Sequence, residues 1–178
     1  SFVGEFSLMK DKDKNKIVAK DITPKDKKST WLGRELSFII KSGTQSQICK
    51  LFGGADSKGV IKTFSANKDE NGKTVSLEIP FAKRLDPEII SKVAVFKKIK
   101  VFEKEFISEY DAVDYVNTNL PLFEGKRLKV TGNVKFEIYN GKLYPKFMVQ
   151  NIWEAKDTDK DGFDGQMAMF ITKDTVDS

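Results

Sequence analysis

The sequence contains no histidine and a single cysteine, Cys49. Histidine is the usual general base near neutral pH, and histidine and cysteine are the usual zinc ligands. Imidazole catalysis, cysteine-cluster zinc sites and disulfides within the chain are therefore excluded. Carboxylate pairs, lysine Schiff bases and carboxylate-bound magnesium remain open, because Asp, Glu and Lys are plentiful. None of them forms a recognisable catalytic motif, so we expect a protein that is not an enzyme and has no cofactor.

Long apolar runs are also missing. No run approaches the roughly 20 residues that cross a bilayer, and the N-terminal residues lack the apolar core of a signal peptide. The sequence contains no repeat of fixed period and no linker rich in proline or serine. These absences predict one elaborated domain without a membrane partner, in the reducing cytoplasm.

Charge is unevenly distributed along the chain. The net charge is +5, but the residues from Asp157 onward carry six Asp and two Lys, which leaves +9 on residues 1–156. Lysines on a basic body displace counterions from a polyanion, and an acidic tail can compete for the same groove. We therefore expect a nucleic-acid-binding domain at 1–156 and an acidic C-terminal tail at 157–178. The alternative is an ordinary lysine-rich surface that serves solubility.

Apolar and polar residues alternate through much of the chain, which is typical of half-buried strands. The pattern predicts an edge strand at 2–8 and strands at 31–41, 46–53, 60–66, 75–81, 93–102 and 127–153, the last being a hairpin around Asn140-Gly141. Helices are predicted at 86–92, with Asp86 as the N-cap, and at 106–120. The sequence thus predicts a mainly β protein with one or two short helices.

The order of these elements carries a resemblance. A strand at 75–81 and a helix at about 111–120 precede Gly125-Lys126-Arg127-Leu128-Lys129-Val130-Thr131-Gly132 and a hairpin that ends at Val149. This order resembles single-stranded-DNA-binding proteins of the OB-fold type, including phage-encoded ones. In that family a helix follows the third strand, and a G-x-x-V-x-V-x-G segment, here with Leu128 for the first valine, opens the fourth.

The resemblance implies an OB-fold-like antiparallel barrel with an elaborated N-terminal part and an inserted helix and strand between Arg84 and Glu109. Two small barrels that share the strand at 93–102 are the alternative. It also implies non-catalytic, largely sequence-independent binding of single-stranded DNA in replication or recombination, with RNA left open as a ligand. Bases would stack on exposed rings, at about 1–3 kcal/mol per base, above a basic groove. The acidic tail is the expected contact for replication proteins.

Alternation along the strands selects the candidate contact residues. If Leu128, Val130, Val134, Phe136 and Ile138 face the core, the side chains expected in solvent are Lys129, Lys135, Tyr139, Tyr144 and Lys146. A tyrosine pair that merely stabilises the hairpin is the alternative. Trp153 is either a stacking ring or a plug of the barrel, and the plug is favoured.

Further candidates combine a basic residue with a ring. They are Lys50 with Phe52, Lys62 with Phe64, Lys83 and Arg84 after Phe81, and Arg34 near Trp31. A core position is favoured for Phe52 and Phe64, because phenylalanine is seldom left in water. Lys83, Arg84 and Arg34 are expected to line the mouth of the groove, with ordinary surface charges as the alternative.

Three other functions compete with this prediction. Residues 157–162 match the first half of an EF-hand calcium loop, but Asp164 and Ala168 occupy positions that need an apolar residue and a glutamate, so an acidic linker is favoured. A magnesium-dependent nuclease needs carboxylates clustered on strands, whereas here most lie in predicted turns. A protein–protein accessory module, viral or from replication, is the stronger alternative, because fold alone does not fix function.

Overall fold

The computed structural model describes residues 1–26 and 28–166, with Tyr139 described in its backbone only. The strands are β1 (Phe2–Leu8), β2 (Lys20–Ile22), β3 (Trp31–Ser42), β4 (Gln45–Asp56), β5 (Val60–Lys68), β6 (Thr74–Pro80), β7 (Ile99–Val101), β8 (Lys104–Phe106), β9 (Arg127–Tyr139), β10 (Lys142–Glu154) and β11 (Gly162–Phe163). The α-helices are α1 (Pro87–Ser91) and α2 (Glu109–Thr118). The protein is mainly β, as the alternation predicts.

Five strands close into a ring in the order β1, β3, β4, β10, β9 and back to β1. All neighbours in the ring are antiparallel except β4 and β10, which are parallel. Along the chain β4 is the third strand of the ring and β9 is the fourth, and α2 lies in the connection between them. The expected OB-fold-like barrel with short helices is thereby confirmed, as a single closed ring.

The interior of the ring explains why these segments form strands. Alternate residues such as Leu36, Phe38 and Ile40 on β3 are fully buried, and the rings of Phe6 and Phe38 lie 4.8 Å apart. α2 adds buried Val113 and Val116 to the same core. Burying one such side chain stabilises the fold by about 1.5–3 kcal/mol, so the alternation is stable only with this side facing inward.

Two strand assignments made from the sequence were wrong. The segment at 2–8 is not an edge strand, because β1 pairs with β3 on one side and with β9 on the other. The third barrel strand is β4, whereas the strand at 75–81 is β6, which pairs with β5 in a separate two-stranded sheet. The N-terminal elaboration is instead the connection 9–30, which carries β2.

The insert between the third barrel strand and α2 spans residues 57–108, twice the segment expected from the sequence. Its β5–β6 hairpin and α1 pack around a small cluster of Ile79, Val93 and Ile107. Its β7–β8 hairpin instead adds Ile99, Val101 and Phe106 to the main core. The predicted helix at 86–92 is confirmed as α1, with the Asp86 side chain accepting from the Glu88 N–H. The predicted strand at 93–102 is mostly wrong, because residues 95–97 form a 3-10 turn and only β7 follows.

β9 and β10 form the predicted hairpin, and its type I′ turn is confirmed by the positive φ angles of Asn140 (49°) and Gly141 (72°). The hairpin is longer than the barrel, and β10 meets β4 only at Phe147 and Met148. We call residues 134–146 the hairpin end.

The core positions predicted for the hairpin end were wrong. Leu128 and Val130 are buried, but Val134, Phe136 and Ile138 are 40%, 55% and 77% exposed. Their side chains point to the same side as the core residues, yet the barrel wall that would cover them has ended. Leu143, across the hairpin from Ile138, is likewise 60% exposed. The hairpin end therefore has solvent on both sides.

Candidate nucleic-acid interface

One side of the barrel carries side chains that point away from the core. Glu35 on β3 lies opposite Phe52 on β4, and Lys50 lies beside Met148 on β10, so these side chains point to a common surface. The antiparallel register extends this surface to β9, where Lys135 lies opposite Lys146. We call it the outer face, and it consists of Trp31, Glu35, Lys50, Phe52, Lys135, Glu137, Tyr144, Lys146 and Met148.

Trp31 lies at one end of the outer face, above two glycines. A Cβ atom at Gly33 or Gly54 would collide with the indole ring, so the ring requires glycine at these two positions. The ring centroids of Trp31 and Phe52 are 6.4 Å apart, and both side chains are partly exposed rather than in the core. Neighbouring rings supported by backbone form a platform on which unpaired bases can stack.

Lysines cluster around single carboxylates on the same face. Lys146 donates to Glu137, and the pKa of Glu137 falls below its ordinary 4.5, first through this hydrogen bond and then through the charges of Lys146, Lys50 and Lys135. Lys50 also pairs with Glu35, Nζ to Oε2 2.5 Å, and Lys20 lies 3.4 Å from the same carboxylate. Four lysines thus surround two glutamates, which leaves positive charge for phosphates.

The two predicted tyrosines lie at the hairpin end. Tyr144 is opposite Glu137 and 44% exposed, on the solvent side as the alternation predicts. The backbone of Tyr139 pairs with Lys142, but its side chain lies outside the described part of the structure. The joint role of the two rings therefore stays a prediction.

Lys62, Phe64 and Lys83 lie on the insert and not on the outer face. Lys62 is exposed, with Nζ 3.8 Å from Glu78 across the β5–β6 hairpin. Phe64 is partly exposed, and its ring is 6.1 Å from that of Phe96. Lys83 is exposed in the 3-10 turn that follows β6. The predicted grouping of these residues with the barrel strands was wrong, because β5 and β6 do not join the ring.

Arg34 and Arg84 are bound to acidic residues of α2. Arg84 donates to both carboxylate oxygens of Asp111, at 2.8 and 3.0 Å, and its guanidinium lies 3.7 Å from the Phe81 ring centroid. Arg34 pairs with Asp21 at 2.7 Å and with Asp114. The hydrogen bond to Asp21 raises the pKa of Arg34. Arg34 joins α2 to the barrel and Arg84 joins α2 to the insert, and their predicted place at the groove mouth stays a prediction.

Lys129 contacts the acidic stretch that follows the barrel. Its Nζ lies 2.6 Å from Asp159, and Arg127 lies 2.6 Å from Asp161. β11 then pairs with β1, so the stretch predicted to be a tail begins in contact with the barrel. Asp159 and Asp161 face these two cations separately, unlike the convergent carboxylates of a calcium loop. Residues 167–178, the rest of that stretch, lie outside the described residues.

Trp153 is not the predicted plug of the barrel. A bulge between Val149 and Asn151 shifts the alternation of β10, so that Ile152 is buried and Trp153 points outward. Trp153 lines two surface cavities, of about 480 and 870 Å³. A one-residue bulge is invisible to a period-two pattern, which is why the sequence favoured the wrong side.

Several exposed rings were missed. Phe96 is 70% exposed and directly precedes Lys97-Lys98, which interrupts the alternation of the predicted strand. That interruption was the signal that this segment is not a strand. Phe136 was assigned to the core, and no local signal shows that the barrel wall ends before it.

Burial raises the pKa of the Cys49 thiol to about 12, so this cysteine is not a nucleophile.

Among the described residues, no group of three or more Asp, Glu or Cys residues is placed to hold a metal ion. Within 1–26 and 28–166, no helix is long and apolar enough to cross a membrane. Comparison of the chain with protein-family models, curated proteins and solved structures finds no match.

Proposed function

We propose that the chain binds single-stranded DNA without catalysis and largely independently of sequence, on the outer face of the barrel. The observation that carries this proposal is the platform of Trp31 and Phe52 beside the lysine cluster of Lys50, Lys135 and Lys146. Every base has a π-face, so stacking on such rings requires no particular sequence. Paired bases inside a duplex cannot reach the rings, which favours single strands.

Binding requires an exchange of ionic partners. In the free protein Lys50 holds Glu35 and Lys146 holds Glu137. Phosphates replace these carboxylates when a strand lies on the face, and the condensed counterions that they release supply much of the free energy. The Lys146–Glu137 pair is exposed, at 37% and 56% of the two side chains, so its opening costs little. The Lys50–Glu35 pair is less exposed, at 22% and 14%, so its opening costs more. The proposed setting is replication or recombination in the cytoplasm, the host cytoplasm for a phage protein.

Fluorescence titration tests the proposal directly, because the chain has two tryptophans. In the Trp153→Phe variant Trp31 is the remaining reporter, and we expect oligo-dT to quench it while a duplex of equal length does not.

The Trp31→Ala variant should bind oligo-dT about 5-fold to 150-fold more weakly, which corresponds to the loss of one stacked base. Leu85→Ala, which truncates an exposed apolar side chain on the insert, is the control. Quenching by duplex and single strand alike would contradict the proposal, and preference for oligo-U would assign the face to RNA.

A protein–protein accessory module is the second candidate. The hairpin end favours it, because Phe136, Ile138 and Leu143 expose a continuous apolar side. Absence of any oligonucleotide binding at low salt would favour this function over the first.

A further inference from the structure

We infer that the insert provides a second contact for the same nucleic-acid strand, in the cavity between the 3-10 turn Val95–Lys97 and β10. This inference rests on the proposed function of the outer face and extends it beyond the barrel. The cavity has a volume of about 480 Å³, and its lining includes Phe96, Lys97, Lys100, Gln150 and Trp153.

Two rings from separate elements border this cavity. Phe96 and its neighbour Val95 are 70% and 69% exposed, and an apolar pair this open to solvent marks a contact surface. The turn is anchored by the Ala94 N–H, which donates to the Phe64 carbonyl at 2.8 Å, so Phe96 is held in place. Trp153 is partly exposed on β10. A base entering the cavity meets an aromatic surface supplied by either element.

The charge of the cavity resembles that of the outer face. Lys98 and Lys100 both bind Glu105, at 2.7 and 2.9 Å, and Lys97 lies 5.9 Å from the Phe96 ring centroid. Glu109 is the acidic group in the lining. Three lysines beside two glutamates again leave positive charge where a phosphate can contact protein.

The cavity is continuous with the outer face. Met148 lies beside Lys50 on the outer face, and Gln150 follows Met148 two residues later on β10. Gln150 is exposed and also lines the cavity. Two residues of a strand span about 7 Å, so a nucleic-acid strand that lies on Lys50 and Met148 reaches the cavity by following β10.

The two tryptophans report on the two contacts separately. Trp31→Phe leaves Trp153 as the reporter of the cavity and keeps a ring on the outer face, whereas Trp153→Phe leaves Trp31. In titrations with oligo-dT of increasing length, we expect quenching of Trp31 by every length that binds and quenching of Trp153 only above a threshold length.

Substitutions in the cavity should then act according to length. Phe96→Ala and Lys97→Gln should each lower affinity for long oligo-dT about 5-fold, with a loss that grows with length. Leu85→Ala, which truncates another exposed apolar residue of the insert outside the cavity, is the matched control. Because Phe96 is largely exposed, folding of its variant can be verified by thermal melting, and Lys97→Gln provides an independent test.

The outcomes separate this inference from the proposed function. If Trp31 is quenched but Trp153 stays silent at every length, or if both variants bind long oligo-dT like the native chain, the second contact does not exist. If Trp31 itself is not quenched by any oligonucleotide, the proposed function fails, and the inference fails with it.

Discussion

Arg84, which binds α2, differs from Lys146 on the outer face in how its charge is held. Arg84 binds Asp111 through two hydrogen bonds and lies over the Phe81 ring, with only 18% of its side chain exposed. Lys146 binds Glu137 with 37% and 56% of the two side chains exposed. A planar guanidinium in a fixed bidentate pair is part of the fold, whereas a single ammonium in water exchanges its partner readily. Positive charge alone therefore does not identify a ligand contact here.

The largest expected difference between substitutions of Arg84 and Lys146 is in the free energy of unfolding. Arg84→Ala leaves the largely buried Asp111 carboxylate without its cation, and removal of one member of such a pair costs about 3 kcal/mol. Lys146→Ala should cost less than about 1 kcal/mol, because its ion pair is exposed. Urea unfolding followed by circular dichroism measures both values.

A double variant provides the control for this prediction. Arg84→Ala combined with Asp111→Ala should recover part of the lost stability, because no uncompensated carboxylate remains. Equal losses of stability for Arg84→Ala and Lys146→Ala would erase the distinction between the two cations.

The next effect is on the salt dependence of binding. Replacing Lys50, Lys135 and Lys146 together with glutamine should reduce the slope of log affinity against log salt by about 2, at roughly 0.7 per phosphate contact on a single strand. Titrations of oligo-dT at four or more salt concentrations measure this slope.

A variant of equal charge separates contact from net charge. Lys62, Lys73 and Lys83 are exposed on the insert, away from the outer face, and their triple glutamine variant changes the net charge by the same amount. We expect its slope to stay close to that of the native chain. Identical slopes for the two triple variants would show that the charges act only as a diffuse field.

Local pattern predicted the elements well where one turn or cap determines them. The type I′ turn of the β9–β10 hairpin and the Asp86 cap of α1 follow from a few adjacent residues. Which strands belong to the barrel does not follow from adjacent residues, because β6 alternates as regularly as β4. Only the pairing of β4 with β10, about a hundred residues apart along the chain, selects the third barrel strand.

Alternation shows on which side of a strand a residue lies, but it does not show whether that side is covered by other residues. Val130 and Ile138 share a side of β9, yet one is buried and the other is 77% exposed, because the barrel wall ends between them. A single bulge likewise exchanged the positions of Ile152 and Trp153. These are properties of the assembled sheet rather than of the segment.

The candidate site was predictable in part for the same reason. Parity along a strand correctly put Lys50 with Phe52 and Tyr144 with Lys146 on common sides. The ionic partners of the arginines could not be found in this way, since Asp114 lies 80 residues after Arg34 and Asp111 lies 27 after Arg84. Only the folded chain shows that these two charges are already satisfied.

The smallest effect concerns the carboxylate at the centre of the lysine cluster. Glu137 competes with phosphate for Lys146, so Glu137→Gln should raise affinity for oligo-dT about threefold. The lysines hold the pKa of Glu137 below 4.5, which means that its charge is present above that pH and is lost only as the pH falls further. The ratio of the two affinities should therefore be largely retained at pH 4.5, where a glutamate of ordinary pKa is half protonated. A ratio that has already fallen halfway toward one at pH 4.5 would show that Glu137 titrates normally, and hence that the lysines do not surround it in solution.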